Sequence, residues 1–291
     1  MIAAVKLRDE VGRTFRRAGD VLLVVYEELW RDRVFTVAAG LAFYFLLSLV
    51  PLLIVFASIL WYLPATSAVS QLLSIMAELI PPDSVQLVQS ATLSVLGPGH
   101  VKFLSFGILS YLWAALGGFS ALIEALDIAY NVETHRPWWR DKLQALLLTF
   151  TVGGMGMLSF LMIIVGPHIG HLLRMFFSLP AGFIDIWPGL RWIITIVTFV
   201  TGLELVYYLG PHARHSFWST LPGAAVAVGM WFLGSSGLSF YLSHFSNYNK
   251  TYGSLGAVIG LMLWLYISSL AVLIGAELNV GLSKQGSQKA S

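Results

Sequence analysis

The residues best placed to do chemistry are four acids set within or at the ends of long apolar stretches: Glu124, Asp127, Glu204 and Glu277. An ionisable group is costly in hydrocarbon, so an acid kept there is a lead for a substrate contact or a proton relay. Glu204 lies seven residues before Pro211, roughly 10 Å along a helix at about 1.5 Å per residue, which makes it the deepest. A protonatable carboxyl at that depth can couple proton movement to transport. The plainer alternative for each acid is that it neutralises a neighbouring cation or caps the membrane interface. If their faces converge, the four make an acidic vestibule flanked by Arg136, Arg140 and Arg214.

Three other groups have chemical character. Pro51 interrupts the first apolar stretch and removes one helical hydrogen bond. Ser48 and Tyr44 stand one and two turns before it, so the kink presents a hydroxyl and a phenol as a substrate-facing surface or hinge, or simply as packing. Arg136-Pro137-Trp138-Trp139-Arg140 combines indoles, which favour the headgroup layer, with arginines, which pair with phosphate. It reads as an interfacial anchor or, more sharply, as a headgroup or phosphate site. The pattern GPHxxH occurs at Gly166 to His171 and again at Gly210 to His215. The two copies end successive spans and face opposite sides, so they cannot pool four histidines, and neither alone completes a zinc set. No metal and no cofactor are expected.

The elements that must position these residues are membrane spans. The chain is 57% hydrophobic and 11% charged, with a mean hydropathy of +0.77, whereas soluble domains carry about 25% charged residues. Stretches of about 20 apolar residues cross a bilayer as helices. They recur at about 34–63, 101–121, 143–166, 190–210, 217–242 and 253–280. Residues 1–33 read as an amphipathic segment on the cytoplasmic surface, 34–281 as one six-helix membrane domain, and 282–291 as a cytoplasmic tail. The loop from Pro64 to His100 carries two apolar stripes separated by Pro81-Pro82-Asp83, which suggests short interfacial helices. The fold class is therefore an all-α integral membrane protein, a bundle of about six transmembrane helices. A cytoplasmic N-terminus places 13 of the 17 Lys and Arg residues inside, as the positive-inside rule asks. Gly256 and Gly260 form one GxxxG, best read as a packing groove.

Three blocks carry a family resemblance. They are Ala38-Ala39-Gly40-Leu41-Ala42-Phe43-Tyr44-Phe45-Leu46-Leu47-Ser48-Leu49-Val50-Pro51, then Ala125-Leu126-Asp127-Ile128-Ala129-Tyr130-Asn131-Val132 with the arginine-tryptophan block, and a C-terminal set. The last is Tyr252-Gly253-Ser254-Leu255-Gly256-Ala257-Val258-Ile259, Leu263-Trp264-Leu265-Tyr266 and Leu273-Ile274-Gly275-Ala276-Glu277-Leu278-Asn279. Over roughly residues 15–282 and in this order, they resemble the YihY/virulence factor BrkB family. The resemblance implies a bacterial inner-membrane protein of about six helices. It also implies that the family's former label, ribonuclease BN, is a misassignment, and that a transport role without a settled substrate is the working expectation.

The residues exclude several classes. A nuclease needs acidic metal ligands or a catalytic histidine that RNA can reach, beside a basic surface, and the short extramembrane segments hold no such constellation. No GxSxG elbow and no phosphate-binding P-loop are present. The expectation is a non-enzymic transporter or translocator of an anionic amphiphile or lipid-linked molecule, with membrane lipids as partners, no nucleic acid, and an open oligomeric state. A structural or scaffold membrane protein is the alternative, and a ribonuclease ranks below both.

Overall fold

The computed structural model describes residues 19, 21–61, 100–132, 137–164, 166, 170, 180, 182–213, 216–244 and 254–287, with side chains of 50–61, 100–108 and a few scattered positions left aside. The expected N-terminal stripe before residue 19, the interfacial helices of the first loop, Arg136, Arg214, the histidines at 168, 171 and 215, and the connector from Phe245 to Tyr252 lie outside these residues.

Seven helices account for nearly all described residues, and no strand occurs among them. They are α1 Val21–Arg31, α2 Val34–Trp61, α3 His100–Ala129, α4 Trp138–Ile164, α5 Phe183–Leu209, α6 Phe217–His244 and α7 Ser254–Ser287. The six long ones fall on the six expected apolar stretches. By length and apolarity, parts of α3, α5, α6 and α7 can each cross a membrane alone, while α1 and the first half of α2 qualify together as a pair bent by 64°. The protein is an all-α membrane protein. Helix is the only regular option for such segments, since a backbone amide facing hydrocarbon must find its partner within its own segment. The hydroxyls follow the same rule: Thr149, Thr198, Thr201, Ser268 and Ser269 each donate to the carbonyl four residues earlier.

Helix bounds differ from the expected spans where polar residues misled the hydropathy. α3 continues through Glu124 and Asp127 to Ala129, and α4 begins at Trp138, so its charged first turn is helical rather than loop. The turn between α1 and α2 is closed by Arg33 at φ 50°, and α3 is terminated by Asn131 at φ 54°. Asparagine tolerates this left-handed conformation; for arginine the surrounding contacts must hold it.

Each long helix packs on the next in sequence, α2 on α3 through to α6 on α7, and α7 returns to α2, which closes a ring; α7 also touches α3. The best-packed core sits at one end of this ring. Ala38 and Leu41 of α2, Leu122 and Leu126 of α3, Tyr207 of α5, Ala224 of α6 and Leu273 and Ala276 of α7 meet there. The closest approach is between α6 and α7. A methyl added at Gly223 would strike the Gly275 carbonyl, and one added at Gly275 would lie 2.6 Å from the Gly223 carbonyl and 2.8 Å from the Ala227 Cβ. Small residues serve here because helices in lipid associate through tight backbone packing. Gly256 and Gly260 are likewise buried, beside Ala257 and Leu261, the latter packed with Ala42 of α2.

Candidate functional site

The polar groups gather at the end of the ring where α3, α5 and α7 finish and α2, α4 and α6 begin. Three arrangements occur there, and one more lies elsewhere in the ring.

The first surrounds Glu277. Its side chain is fully buried on α7, and neither carboxyl oxygen has a hydrogen-bond partner among the described residues. Across from it stand Glu28 of α1 and Asp32 of the α1–α2 turn; each of the three acids offers an oxygen within 4.8 Å of those of the other two. Two cations are interleaved. Arg31 pairs with Glu28 and donates from Nε to Asp32 at 2.9 Å and from Nη2 to Asn131 at 2.8 Å. Lys284 donates to Glu28 at 2.9 Å. The contact is possible because α1 lies back on α7, with Val21 and Val25 over Gly281. Leu22, Leu23, Tyr26 and Trp30 are left facing outward.

The second surrounds Glu204, also fully buried. The Thr220 hydroxyl of α6 donates to Glu204 Oε1, and Oε2 has no partner. Nearby, Asn279 accepts the Gly223 amide at 2.8 Å and donates to the Tyr130 hydroxyl at 3.4 Å, while Tyr207 donates to the Val272 carbonyl at 2.5 Å. These bonds tie α3, α5, α6 and α7 together where the glycines bring the backbones closest.

The third is a histidine between two aspartates. Asp127 accepts from the His212 amide at 2.7 Å and meets its ring Nδ1, and Asp141 of α4 faces Nε2 at 3.1 Å. As an imidazolium the ring can donate to both. His212, read from sequence within a GPHxxH pattern, thus joins the ends of α3 and α5 to the start of α4.

Away from that end, α4 to α7 line a half-open pocket of about 220 Å³. Gly156, Ser159, Gly202, Trp231 and Ser268 are among its lining residues; the Ser159 hydroxyl is buried without a partner, and Trp231 donates to Ser268 at 2.9 Å.

The candidate acids therefore occupy separate surroundings. Glu124 is exposed, Asp127 is held by His212, and Glu204 and Glu277 are sealed from solvent, so they do not line an open vestibule. Tyr44 is exposed beside Gly117 of α3, and the Ser48 hydroxyl donates to the Phe45 carbonyl at 2.8 Å, within its own helix. α2 runs through Pro51. Sequence reasoning missed Glu28 and Asp32, which look like ordinary surface charges in a mixed segment. It also passed over Tyr130, Tyr207 and Thr220, whose types carry no signal until helices pack.

The arginine-tryptophan block opens a groove. Trp138 and Trp139 are exposed, and the Arg140 guanidinium lies over the Trp139 ring at 5.1 Å from its centroid. From there a groove of about 1060 Å³ runs along α4 past Leu143, Leu147 and Phe150, with Tyr208 and Pro211 on its other wall. Gln144 pins that wall by donating to the Leu209 carbonyl and, at 2.9 Å, to that of Gly210.

The family model described as Virulence factor BrkB matches residues 25–291. The chain belongs to the virulence factor BrkB family. Among relatives, a Bacillus subtilis protein named only as ribonuclease-like, YfkH, is 33% identical over 248 residues, 85% of this chain and 90% of its own length. Proteins named UPF0761 membrane protein are similar as well. One from Tolumonas auensis is 29% identical over 89% of this chain and 84% of its own, and one from Vibrio parahaemolyticus is 30% identical over 89% and 81%. No solved structure matches. This agrees with the resemblance read from the three sequence blocks, and it makes membership, all-helical architecture and membrane residence plain; none of the names specifies a transported substrate.

Proposed function

We propose that this BrkB-family protein is a transporter or translocator of an anionic amphiphile in the bacterial inner membrane, with both termini in the cytoplasm. The groove at Arg140 carries the reading. A cation stacked on an indole stands at one end of a long apolar trough, which is the chemistry of an acidic headgroup joined to an acyl or prenyl chain. Arg136, four residues before Arg140, adds a second cation to the same block. The half-open pocket lined by α4 to α7, with its unpartnered Ser159 hydroxyl, supplies a further polar point. Membrane lipids are its immediate partners.

A non-enzymic role is part of the proposal. The ribonuclease-like name of the Bacillus relative suggests phosphodiester chemistry, which requires acids that a polyanion can approach. The acidic group at Glu28, Asp32 and Glu277 is mostly buried, and Glu277 wholly so.

Native mass spectrometry of the protein extracted gently from its own membrane tests the reading, with bound small molecules released and identified. An anionic amphiphile at fixed stoichiometry is expected. Its occupancy should fall about tenfold in Arg140→Glu, equivalent to losing about 1.4 kcal/mol of charge-assisted binding. A bare protein, or phospholipid in bulk membrane proportions for both chains, overturns the reading and favours a scaffold.

A further inference from the structure

The cluster at Glu28, Asp32 and Glu277 holds more acids than cations among the described residues. Among the described residues three acids face two cations, and the cations are already engaged: Arg31 with Glu28, Asp32 and Asn131, Lys284 with Glu28. Neither donates to Glu277, which is wholly buried with both oxygens unpartnered while facing the other two acids. A buried polar atom left without a partner costs about 1–3 kcal/mol, and more if charged. A proton or a bound cation must therefore offset Glu277 in the folded protein.

We propose that Glu28, Asp32 and Glu277 form a binding site for a hard metal cation of Ca2+ or Na+ size. The donors are oxygens only, with no thiolate or imidazole in the cluster, a set suited to hard ions rather than zinc. Their mutual separations, all within 4.8 Å, suit ligand distances of about 2.3–2.6 Å, longer than Mg2+ prefers. Glu28 and Asp32 can ligate without releasing Arg31 or Lys284, because a carboxylate has about four lone-pair sites. The ion joins α1, the α1–α2 turn and α7, and so holds the 64° bend in place. This site is independent of the amphiphile groove.

The test uses the full chain in nanodiscs, stripped with chelator and exchanged into choline chloride. CaCl2 or NaCl is then titrated at constant ionic strength while the melting temperature is followed, and Ca2+ content is measured by equilibrium dialysis. A saturable rise in melting temperature with either ion is expected, with Ca2+ retained on dialysis if the ion is divalent and a response to NaCl alone if it is monovalent. Glu277→Gln should weaken binding about tenfold or more, since affinity follows the charge count of the ligands. Glu277→Asp should retain part of it, and Glu124→Gln should behave as the parent. A response no larger than that to choline, or one kept unchanged in a folded Glu277→Gln, overturns the proposal; should Glu277→Gln fail to fold, Glu28→Gln and Asp32→Asn provide the same comparison.

Discussion

Glu204 and Glu277 make an instructive pair. Both are fully buried acids at the same end of the ring, on helices that reach it in the same direction. Glu204 is met by the Thr220 hydroxyl from the next helix. Glu277, one of a conspicuous Ala276-Glu277-Leu278-Asn279 run, is met by no donor among the described residues, and it faces two other acids. The difference lies in what the opposing element supplies. α6 brings a hydroxyl to Glu204 at the position where the glycine seam sets its register, whereas α1 brings Glu28 and Asp32 toward Glu277 with cations that are already spoken for. Depth in the membrane, the property that distinguishes Glu204 in the sequence, is thus a poor guide to which acid lacks a partner.

The largest expected effect comes from removing what both surroundings share. Gly275→Leu places a side chain against Tyr207, Ala227 and the Gly223 carbonyl, and backbone atoms cannot move aside as a flexible side chain would. Overpacking of this kind costs about 3 kcal/mol or more. Size-exclusion chromatography in mild detergent should show loss of the monodisperse peak, and an unaltered peak would show that the α6–α7 seam does not organise this end.

Next, the two acids should respond oppositely to an apolar replacement. Glu204→Leu leaves the buried Thr220 hydroxyl with only the Phe217 carbonyl, at 3.1 Å, and should destabilise by about 1–3 kcal/mol. Glu277→Leu in choline buffer removes a group with no donor to lose and should be neutral or stabilising. Thermal unfolding of the two variants side by side checks this, and equal destabilisation would erase the distinction drawn between them.

The smallest effects sharpen the contrast with acids at the surface. Asp127→Ala frees the His212 amide and ring Nδ1 and should lower stability by about 0.5–1.5 kcal/mol if that bridge holds helix ends together, as a net hydrogen bond does. Glu124→Ala, three residues earlier on an exposed face, should change it by less than about 0.5 kcal/mol. Hydrogen exchange at the end of α3 distinguishes them: faster exchange is expected for the first variant alone.

Much of the architecture was legible without coordinates. Period-free apolar runs longer than a bilayer requires admit only helices, so six long helices and a membrane setting followed from composition and length. The three family blocks were legible for the same reason that they are packed: Ala38 and Leu41, then Ala125, Leu126 and Ala129, then Leu273 and Ala276 belong to one shared core at one end. Helix ends were less legible, because the charged first turn of α4 and the acidic last turns of α3 lower hydropathy without breaking the helix.

The sequence by itself determined that this protein is a helical membrane protein of the BrkB kind, since continuous apolar runs of this length can satisfy their backbone groups within one segment only as helices, and it marked the acids and the arginine-tryptophan block as unusual. Only the tertiary structure decided their company. Thr220 finds Glu204, His212 finds Asp127 and Asp141, and Glu28 and Asp32 arrive opposite Glu277 from more than two hundred residues away. Partners that distant are set by how helices bend and close into a ring, and nothing in local spacing encodes that.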